Sequence, residues 1–248
     1  MTRIGVPYFL TRHEPGVDYV IPFNVEVRAE LTDEPGWPPL VPLYEAVAEA
    51  VAGDVADGGW PAVISGDCTV ALGTVAGLQR AGLDPGIVWL DAHGDVQTME
   101  TTHSGFLGGM PLRILVGYRP ELIATELGLR PVPEERVVLV DARDLDPPEK
   151  EYLRQAKMRH VALDDLETLP DGPLYVHLDL DIVDPSELPD VRYPAPGGPS
   201  LAAVVESMHT LFETGRVVGA GIACTWAEGT DFSDETRALL NDILPELT

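Results

Sequence analysis

The feature that most constrains the fold is a short apolar segment that runs directly into three polar side chains. The segment Gly86-Ile-Val-Trp-Leu90 has the length and apolar character of a buried strand. It continues as Asp91-Ala-His93-Gly-Asp95, and in extended backbone alternate side chains point the same way. We therefore expect Asp91, His93 and Asp95 to project on one side of the strand end. Two carboxylates and an imidazole suit manganese, with cobalt, iron, nickel or zinc as alternatives, although a polar loop with a hydrogen-bonded histidine has the same sequence.

A second apolar segment, residues 174–183, carries two further aspartates at a spacing of two. Asp179 and Asp181 are expected on one face of this strand, with apolar side chains on the other. A carboxylate in a buried strand is costly unless it is paired or coordinated, and two on one face repel each other without a cation between them. A site with two metal ions is the natural interpretation, and an edge strand with a solvated acidic face is the alternative.

Strands alternate with helices along the chain, which predicts an α/β fold with a parallel sheet covered on both faces. The predicted strands are residues 3–10, 61–64, 86–90, 136–140, 160–163, 174–183 and 216–225. The predicted helices are residues 40–55, 69–80, 110–116, 120–127, 148–159, 200–213 and 233–244. The chain has 248 residues and no linker that would divide it, so we expect a single domain over 1–248.

The composition restricts the partners that the chain can bind. The formal net charge is -25, from 41 acidic and 16 basic residues, which argues against nucleic acid and anionic membranes. This charge is compatible with a cationic small-molecule substrate, or simply with a solvated acidic surface. The sequence has no secretory signal and no apolar run of about 18 residues. Two cysteines, Cys68 and Cys224, are too few for a disulfide framework, so we expect a reduced, cytoplasmic protein.

Three motifs stand in a recognisable order. They are Ser65-Gly-Asp-Cys68, Asp91-Ala-His-Gly-Asp95 and His177-Leu-Asp-Leu-Asp-Ile-Val-Asp184-Pro185. Their order and spacing resemble the ureohydrolase (arginase/agmatinase) superfamily, which has Gly-Gly-Asp-His, Asp-Ala-His-x-Asp and Ser-x-Asp-x-Asp-x-x-Asp-Pro. The resemblance implies a three-layer α/β/α fold with a parallel eight-stranded sheet. It also implies a homo-oligomer, either a trimer or a hexamer.

The resemblance also implies two metal ions and the residues that hold them. One ion would be held by Cys68, Asp91, Asp95 and Asp179, and the other by His93, Asp91, Asp179 and Asp181, so that Asp91 and Asp179 bridge. The two ions would convert a water molecule to hydroxide near neutral pH, for attack on the planar guanidine or amidine carbon. Asp95 would hold that water and pass its proton to the leaving amine.

The chain departs from the family pattern at the first ligand, because Cys68 stands where most of the family has a histidine. A thiolate is a softer, anionic ligand, so the metal preference of the site is expected to change. A few arginase-like amidinohydrolases, including one that acts on N-hydroxyarginine, carry a cysteine at this position. The alternative is a buried free cysteine beside a one-metal or empty site.

The residues expected to contact the substrate depart further from the family pattern. Gln97, Phe106 and Gly108 occupy the positions of the arginase asparagines and of the histidine that shuttles protons, whereas Ser104 matches. His103 is the candidate replacement for proton transfer, and a solvated loop histidine is the alternative.

The remaining substrate contacts are also carried over by position. Cys224 stands where the family usually has a glutamate that pairs with the guanidinium, and Glu228 is the candidate replacement from nearby. Asp146 keeps the position that contacts the substrate's amino group, with a helix-cap carboxylate as the alternative.

These observations predict a binuclear metal hydrolase of the arginase family that cleaves a C–N bond of a guanidine or amidine, such as a modified arginine. Two alternatives stay open. One is a non-catalytic arginase-like binding or assembly protein, and the other is a zinc-dependent amide hydrolase on the same fold.

Overall fold

The computed structural model describes residues 1–14, 21–166, 168–223, 226 and 232–244. The strands in this part of the chain are β1 (Thr2–Val6), β2 (Tyr8–Phe9), β3 (Arg12–His13), β4 (Val25–Glu26), β5 (Pro61–Ser65), β6 (Gly86–His93), β7 (Val137–Asp144), β8 (Arg159–Val161), β9 (Leu174–Asp179) and β10 (Val217–Ala223). The α-helices are α1 (Val41–Ala56), α2 (Ala71–Arg80), α3 (Pro111–Leu115), α4 (Pro147–Gln155), α5 (Leu201–Glu213) and α6 (Asp234–Asp242).

Eight of these strands form one sheet in the order β4-β1-β5-β10-β9-β6-β7-β8, and every neighbouring pair is parallel. Strand β6 lies between β9 and β7, near the middle of the sheet. Parallel strands end on the same edge, so the polar residues that follow β5, β6 and β9 are brought together there. This arrangement confirms the predicted parallel eight-stranded sheet.

The two faces of the sheet pack into separate apolar cores. In β6, Ile87 and Trp89 belong to the core that contains residues of α1 and α2. Their neighbours Val88 and Leu90 belong to the core that contains residues of α5 and α6. A strand that is covered on both faces is apolar at every position, which explains the continuous hydrophobic run in the sequence. The three-layer α/β/α prediction is confirmed.

Several predicted elements end earlier than expected, among them α4, which ends at Gln155 instead of residue 159, and β8, which ends at Val161 instead of residue 163. Strand β9 stops at Asp179, and Leu180–Ile182 form a 3-10 turn. The prediction that Asp181 belongs to the strand was therefore wrong. The helix predicted over 120–127 is only a 3-10 turn at Pro120–Leu122. The turn ends at Ile123, whose backbone (φ -159, ψ -34) is neither helical nor extended.

The first predicted strand, 3–10, is divided at Pro7, as a residue without a backbone N–H would require. Strand β1 ends at Val6, and the chain after Pro7 forms an antiparallel hairpin of β2 and β3. Strand β4 was not predicted. Its two residues are exposed and pair with Ile4 and Gly5 of β1, and so short a strand shows no periodicity.

None of the helices in the described ranges combines the length and the apolar character that crossing a membrane requires. The single domain, the homo-oligomer and the cytoplasmic location stay predictions.

Candidate active site

The predicted site residues line one cavity of about 440 Å³ at the carboxyl edge of the sheet. The predicted residues along its wall are Cys68, Asp91, His93, Asp95, His103, Ser104, Asp146, Asp179 and Asp181. They come from the ends of three strands and from the loops that follow. This is the edge where ligands bind in open α/β sheets.

Cys68 is placed by a sharp turn after β5. A Cβ on Gly66 would lie 2.3 Å from the carbonyl oxygen of Tyr8, so only glycine allows the close approach of the two segments. The buried carboxylate of Asp67 accepts hydrogen bonds from the backbone N–H groups of Thr69 (2.8 Å) and Leu10 (2.5 Å). These bonds tie the turn to the hairpin of β2 and β3. Cys68 itself is 5% exposed, at the strand end where it was predicted.

Asp91 is the most central of the acidic residues and is 1% exposed. Its Oδ2 accepts a hydrogen bond from the indole Nε1 of Trp89 at 3.1 Å, and its Oδ1 accepts one from the backbone N–H of His93 at 2.7 Å. These donors hold the carboxylate in one orientation. Its Oδ2 also lies 3.9 Å from Sγ of Cys68.

His93 and Asp181 meet although Asp181 lies on a turn instead of a strand. Nδ1 of His93 is 3.0 Å from Oδ2 of Asp181 and 3.4 Å from Oδ1 of Asp91. Oδ1 of Asp181 accepts a hydrogen bond from the backbone N–H of Ala92 at 3.3 Å. The turn therefore brings Asp181 to the residues that were predicted to be its partners.

Within the described chain, two groups of side chains offer ligand atoms that lie within 4.8 Å of one another. The first is Cys68, Asp91 and Asp179, and the second is Asp91, His93 and Asp181. Asp91 belongs to both groups, as its predicted bridging role requires. Asp179 belongs to the first group only, so its role as a second bridge stays a prediction.

Asp95 has an unusual environment. Its backbone is in the left-handed region, with φ 52, and its carbonyl oxygen accepts a hydrogen bond from Arg113 N–H at 3.1 Å. The left-handed backbone replaces the simple strand alternation that we expected at this residue. Oδ2 of Asp95 is buried and has no hydrogen-bond partner in the described residues. Its role as a metal ligand stays a prediction.

Burial and mutual repulsion raise the pKa values of several of these acids. Burial, followed by the charges of Asp181 and Asp91, raises the pKa of Asp179 well above its usual range. Burial and Asp91 raise the pKa of Asp181 to about 6 and also raise the pKa of Asp95. Burial and the charge of Asp179 raise the pKa of the Cys68 thiol.

The pKa values of Asp91 and His93 shift in the opposite sense. Burial alone would raise the pKa of Asp91, but the hydrogen bond and charge of His93 outweigh it and lower that pKa. Burial opposes protonation of His93, but its hydrogen bonds to Asp181 and Asp91 raise its pKa to about 12. The positive charge on protonated His93 thus partly offsets the negative charge of the neighbouring carboxylates.

The donor set fits divalent metal ions. Carboxylate, imidazole and thiolate are the ligands of manganese, iron, cobalt and zinc, and this cavity brings all three types together. The unpartnered oxygen of Asp95 supplies a further buried acceptor. Cations would satisfy that acceptor and replace the protons that the acids otherwise retain.

The rim is built by the loop after Asp95 and by the start of α4. Nε2 of Gln97 donates to Oδ2 of Asp146 at 2.7 Å. Glu149 accepts hydrogen bonds from the backbone N–H groups of Asp146 (3.0 Å) and Val96 (3.3 Å). Asp146 therefore occupies the N-cap position of α4 and also lines the cavity.

Of the other predicted substrate residues, two lie at the cavity and two lie outside the part of the chain that the structure describes. His103 and Ser104 are exposed at the mouth of the cavity, and Oγ of Ser104 accepts a hydrogen bond from Phe106 N–H at 3.2 Å. Cys224 and Glu228 lie outside the described residues.

Sequence analysis missed one wall of the cavity. Phe9, Arg192 and Tyr193 line it together with Phe106, which had been noted only as a departure from the arginase pattern. Phe9 and Tyr193 are distant in sequence and belong to no motif. No local pattern could have indicated that they meet.

Comparison with known proteins identifies the family. The model of the arginase family matches residues 21–247. The chain belongs to the arginase family.

Individual relatives agree with this assignment. The arginase of Bacillus subtilis (strain 168) is 32% identical over 192 residues, which cover 71% of this chain and 64% of that protein. The N(omega)-hydroxy-L-arginine amidinohydrolase of Streptomyces lavendulae is 32% identical over 190 residues, covering 74% of this chain and 66% of that protein. These matches therefore span just under two thirds of either relative. A solved structure of the arginase of Bacillus caldovelox has a TM-score of 0.81 and 28% identity, and the match covers 98% of this chain and 97% of that one.

The predicted superfamily is thus confirmed. These relatives are named as an arginase and as an amidinohydrolase, which agrees with the predicted enzyme class at the level of the family. The replacement of a histidine ligand by Cys68, the identity of the metal and the substrate stay predictions.

Proposed function

We propose that this arginase-family protein is a hydrolase that uses two divalent metal ions, most favourably manganese, to cleave a C–N bond of a guanidine or amidine. The observation that carries the proposal is the shared position of Asp91. It lies between a group with Cys68 and Asp179 and a group with His93 and Asp181, inside a cavity that is open to small molecules. Two overlapping ligand groups correspond to two neighbouring cations.

The residues that would hold the ions are those assigned by motif position. Cys68, Asp91, Asp95 and Asp179 would hold one ion, and His93, Asp91, Asp179 and Asp181 the other. When bound, the cations would lower the pKa of water so that hydroxide is available near neutral pH.

The chain's own residues would then direct proton transfer. The buried Oδ2 of Asp95 has no other partner among the described residues, so it is free to accept a proton from water and release it to the leaving nitrogen. In the hydrolysis of a guanidine, a C–O bond forms, one C–N bond breaks, and one water is consumed to give urea and an amine. His103, exposed at the cavity mouth, would exchange protons with solvent.

The cavity would orient the substrate at both of its ends. Asp146, which is held by Gln97 and faces the cavity, would contact an amino group of the substrate, and Ser104 lies at the cavity mouth. A guanidinium or amidinium ion carries delocalised N–H donors that carboxylates accept in pairs. Glu228 and Cys224 would contact that ion by their positions in the sequence.

Metal analysis combined with a substrate panel tests the proposal. The purified protein should retain about two manganese ions per chain and release urea from at least one guanidine. Absence of bound metal after manganese loading would favour the non-catalytic binding protein. Zinc at the site together with hydrolysis of amides, but not of guanidines, would favour the amide hydrolase.

A further inference from the structure

The cavity has an aromatic wall, formed by Phe9, Phe106 and Tyr193. The rings of Phe9 and Phe106 are stacked, with centroids 5.9 Å apart and an interplanar angle of 17°. The Tyr193 ring lies 5.3 Å from that of Phe106 and 6.4 Å from that of Phe9. The three rings thus form one continuous apolar surface inside the cavity that holds the carboxylates.

This wall is not buried by the protein itself. Tyr193 is 43% exposed, and Phe9 and Phe106 are partly exposed. Leaving three adjoining aromatic rings in contact with water is unfavourable, and a ligand that covers them recovers that free energy. Apolar walls with a few placed polar groups are typical of small-molecule sites.

The position of Phe106 depends on the absence of a side chain at residue 108. A Cβ on Gly108 would lie 2.3 Å from Cζ of Phe106 and 2.4 Å from its Cε1. The Phe106 ring therefore occupies the space into which a side chain at residue 108 would project. Phe106 and Gly108, which both depart from the arginase pattern, therefore belong together, because the phenyl ring needs the space that a side chain at residue 108 would fill.

The cavity offers little to a negatively charged substituent. The basic residues that line it in the described chain are Arg192, His93 and His103. Nη2 of Arg192 pairs with Glu14 at 3.0 Å, and its guanidinium lies 4.2 Å from the Phe9 ring centroid. His93 contacts Asp91 and Asp181, which leaves the exposed His103. The residues outside the described ranges contain no Lys, Arg or His.

We propose that the substrate is a guanidine or amidine that carries an aryl or other apolar substituent, and not a carboxylate. The inference rests on the proposed function for the identity of the head group. The cationic head would lie among the carboxylates, and the substituent would cover Phe9, Phe106 and Tyr193. Asp144 and Asp146, on the cavity wall, would repel a substrate carboxylate.

Binding and turnover of three matched guanidines test the inference on the manganese-loaded protein. Phenethylguanidine carries an aryl tail, 4-guanidinobutanoate carries a carboxylate, and ethylguanidine lacks a tail. By calorimetry, phenethylguanidine should bind at least about tenfold more tightly than either of the others. Equal or tighter binding of 4-guanidinobutanoate, or no binding of phenethylguanidine, would overturn the inference.

Substitutions in the aromatic wall test whether its rings cause the preference for phenethylguanidine. Phe106→Asn and Tyr193→Ser should each reduce the preference for phenethylguanidine about tenfold, whereas Phe106→Tyr should retain it. Thermal unfolding of each variant verifies its fold. An unchanged preference in both folded ring-deletion variants would contradict the inference.

Urea release, measured in parallel, separates the two proposals. Tight binding of phenethylguanidine without urea from any guanidine would leave the aromatic subsite in place and refute the hydrolase. Urea from 4-guanidinobutanoate in preference to phenethylguanidine would support the hydrolase and refute the aromatic subsite.

Discussion

Sγ of Cys68 lies 2.9 Å from Oδ2 of Asp179, so two side chains separated by 111 positions share one hydrogen bond at the carboxyl edge of the sheet, where β10 lies between the strands β5 and β9 that lead to them. Burial raises the pKa of both groups, and a protonated thiol therefore donates to the carboxyl group. A divalent cation would replace that proton and be held by both atoms. The contact is consistent with the proposed role of Cys68 as a metal ligand, and a cysteine in an unrelated part of the core would not make it.

The shared position of Asp91 predicts the loss of both metal ions in Asp91→Asn. The substitution removes a charge from each ligand group, while the amide keeps the size of the side chain. Metal content by mass spectrometry should fall from about two ions per chain to nearly none. Asp57→Asn, at an exposed carboxylate that follows α1 and does not line the cavity, is the control and should retain both ions. Asp179→Ala tests the second bridge: retention of one ion would limit Asp179 to the group with Cys68.

Replacement of the thiol should change metal preference. Cys68→His introduces a neutral nitrogen ligand and should raise manganese occupancy relative to zinc, because thiolate favours softer metals. Cys68→Ser removes the sulfur without supplying an imidazole and should lower the affinity for both metals. The measurement is competitive loading with equal manganese and zinc. An unchanged metal ratio in Cys68→His, together with unchanged total occupancy in Cys68→Ser, would mean that Cys68 does not contact the metal.

Metal binding should release protons and weaken as the pH falls. In the metal-free protein, His93 is protonated because its pKa is about 12, and burial and Asp91 raise the pKa of Asp181 to about 6. Cations must displace these protons, so the apparent affinity should increase between about pH 5 and about pH 7. Calorimetry in buffers with different ionisation enthalpies counts the protons released. Metal binding without proton release would show that the ions bind elsewhere.

The pairing of Phe106 with Gly108 predicts an effect on ligand binding more than on stability. In Gly108→Ala, the new Cβ would displace the Phe106 ring from Phe9 and Tyr193, since the contacting atoms are at the far end of the ring. Affinity for phenethylguanidine should fall about tenfold, with the melting temperature changed by only a few degrees. The same alanine in a Phe106→Asn background should have little further effect on affinity. Additive losses in the double variant would disprove the coupling.

A buried glycine beneath the site should be far less tolerant of substitution than an open one. A Cβ on Gly221 would lie 2.2 Å from Oη of Tyr175 and 3.1 Å from Nδ1 of His177, both fully buried. Gly221→Ala should therefore lower the free energy of unfolding by about 1–3 kcal/mol. Gly53→Ala in α1, where nothing lies within 4 Å, should raise it by about 0.5–1 kcal/mol. Urea denaturation measures both. Equal stability of the two variants would contradict the packing beneath the site.

The sequence by itself determined the layers of the fold and the chemistry of the metal ligands. Continuous apolar runs at 86–90 and 174–179 indicate strands that are covered on both faces, and each run ends in acids that need a counter-charge. Both conclusions depend on residues that are close together along the chain. The spacing of Asp91 and His93 was therefore enough to predict their meeting.

Only the tertiary structure decided what surrounds those ligands. Asp181 reaches His93 from a 3-10 turn, and Asp95 adopts a left-handed backbone, because hydrogen bonds from Ala92 and Arg113 fix their positions. The aromatic wall joins Phe9 from the β2–β3 hairpin with Phe106 and Tyr193 from two separate loops. Periodicity reports which face of an element is buried, but the packing of loops against one another depends on contacts between distant residues. For this reason the candidate ligand residues could be predicted from local sequence, whereas the aromatic wall could not.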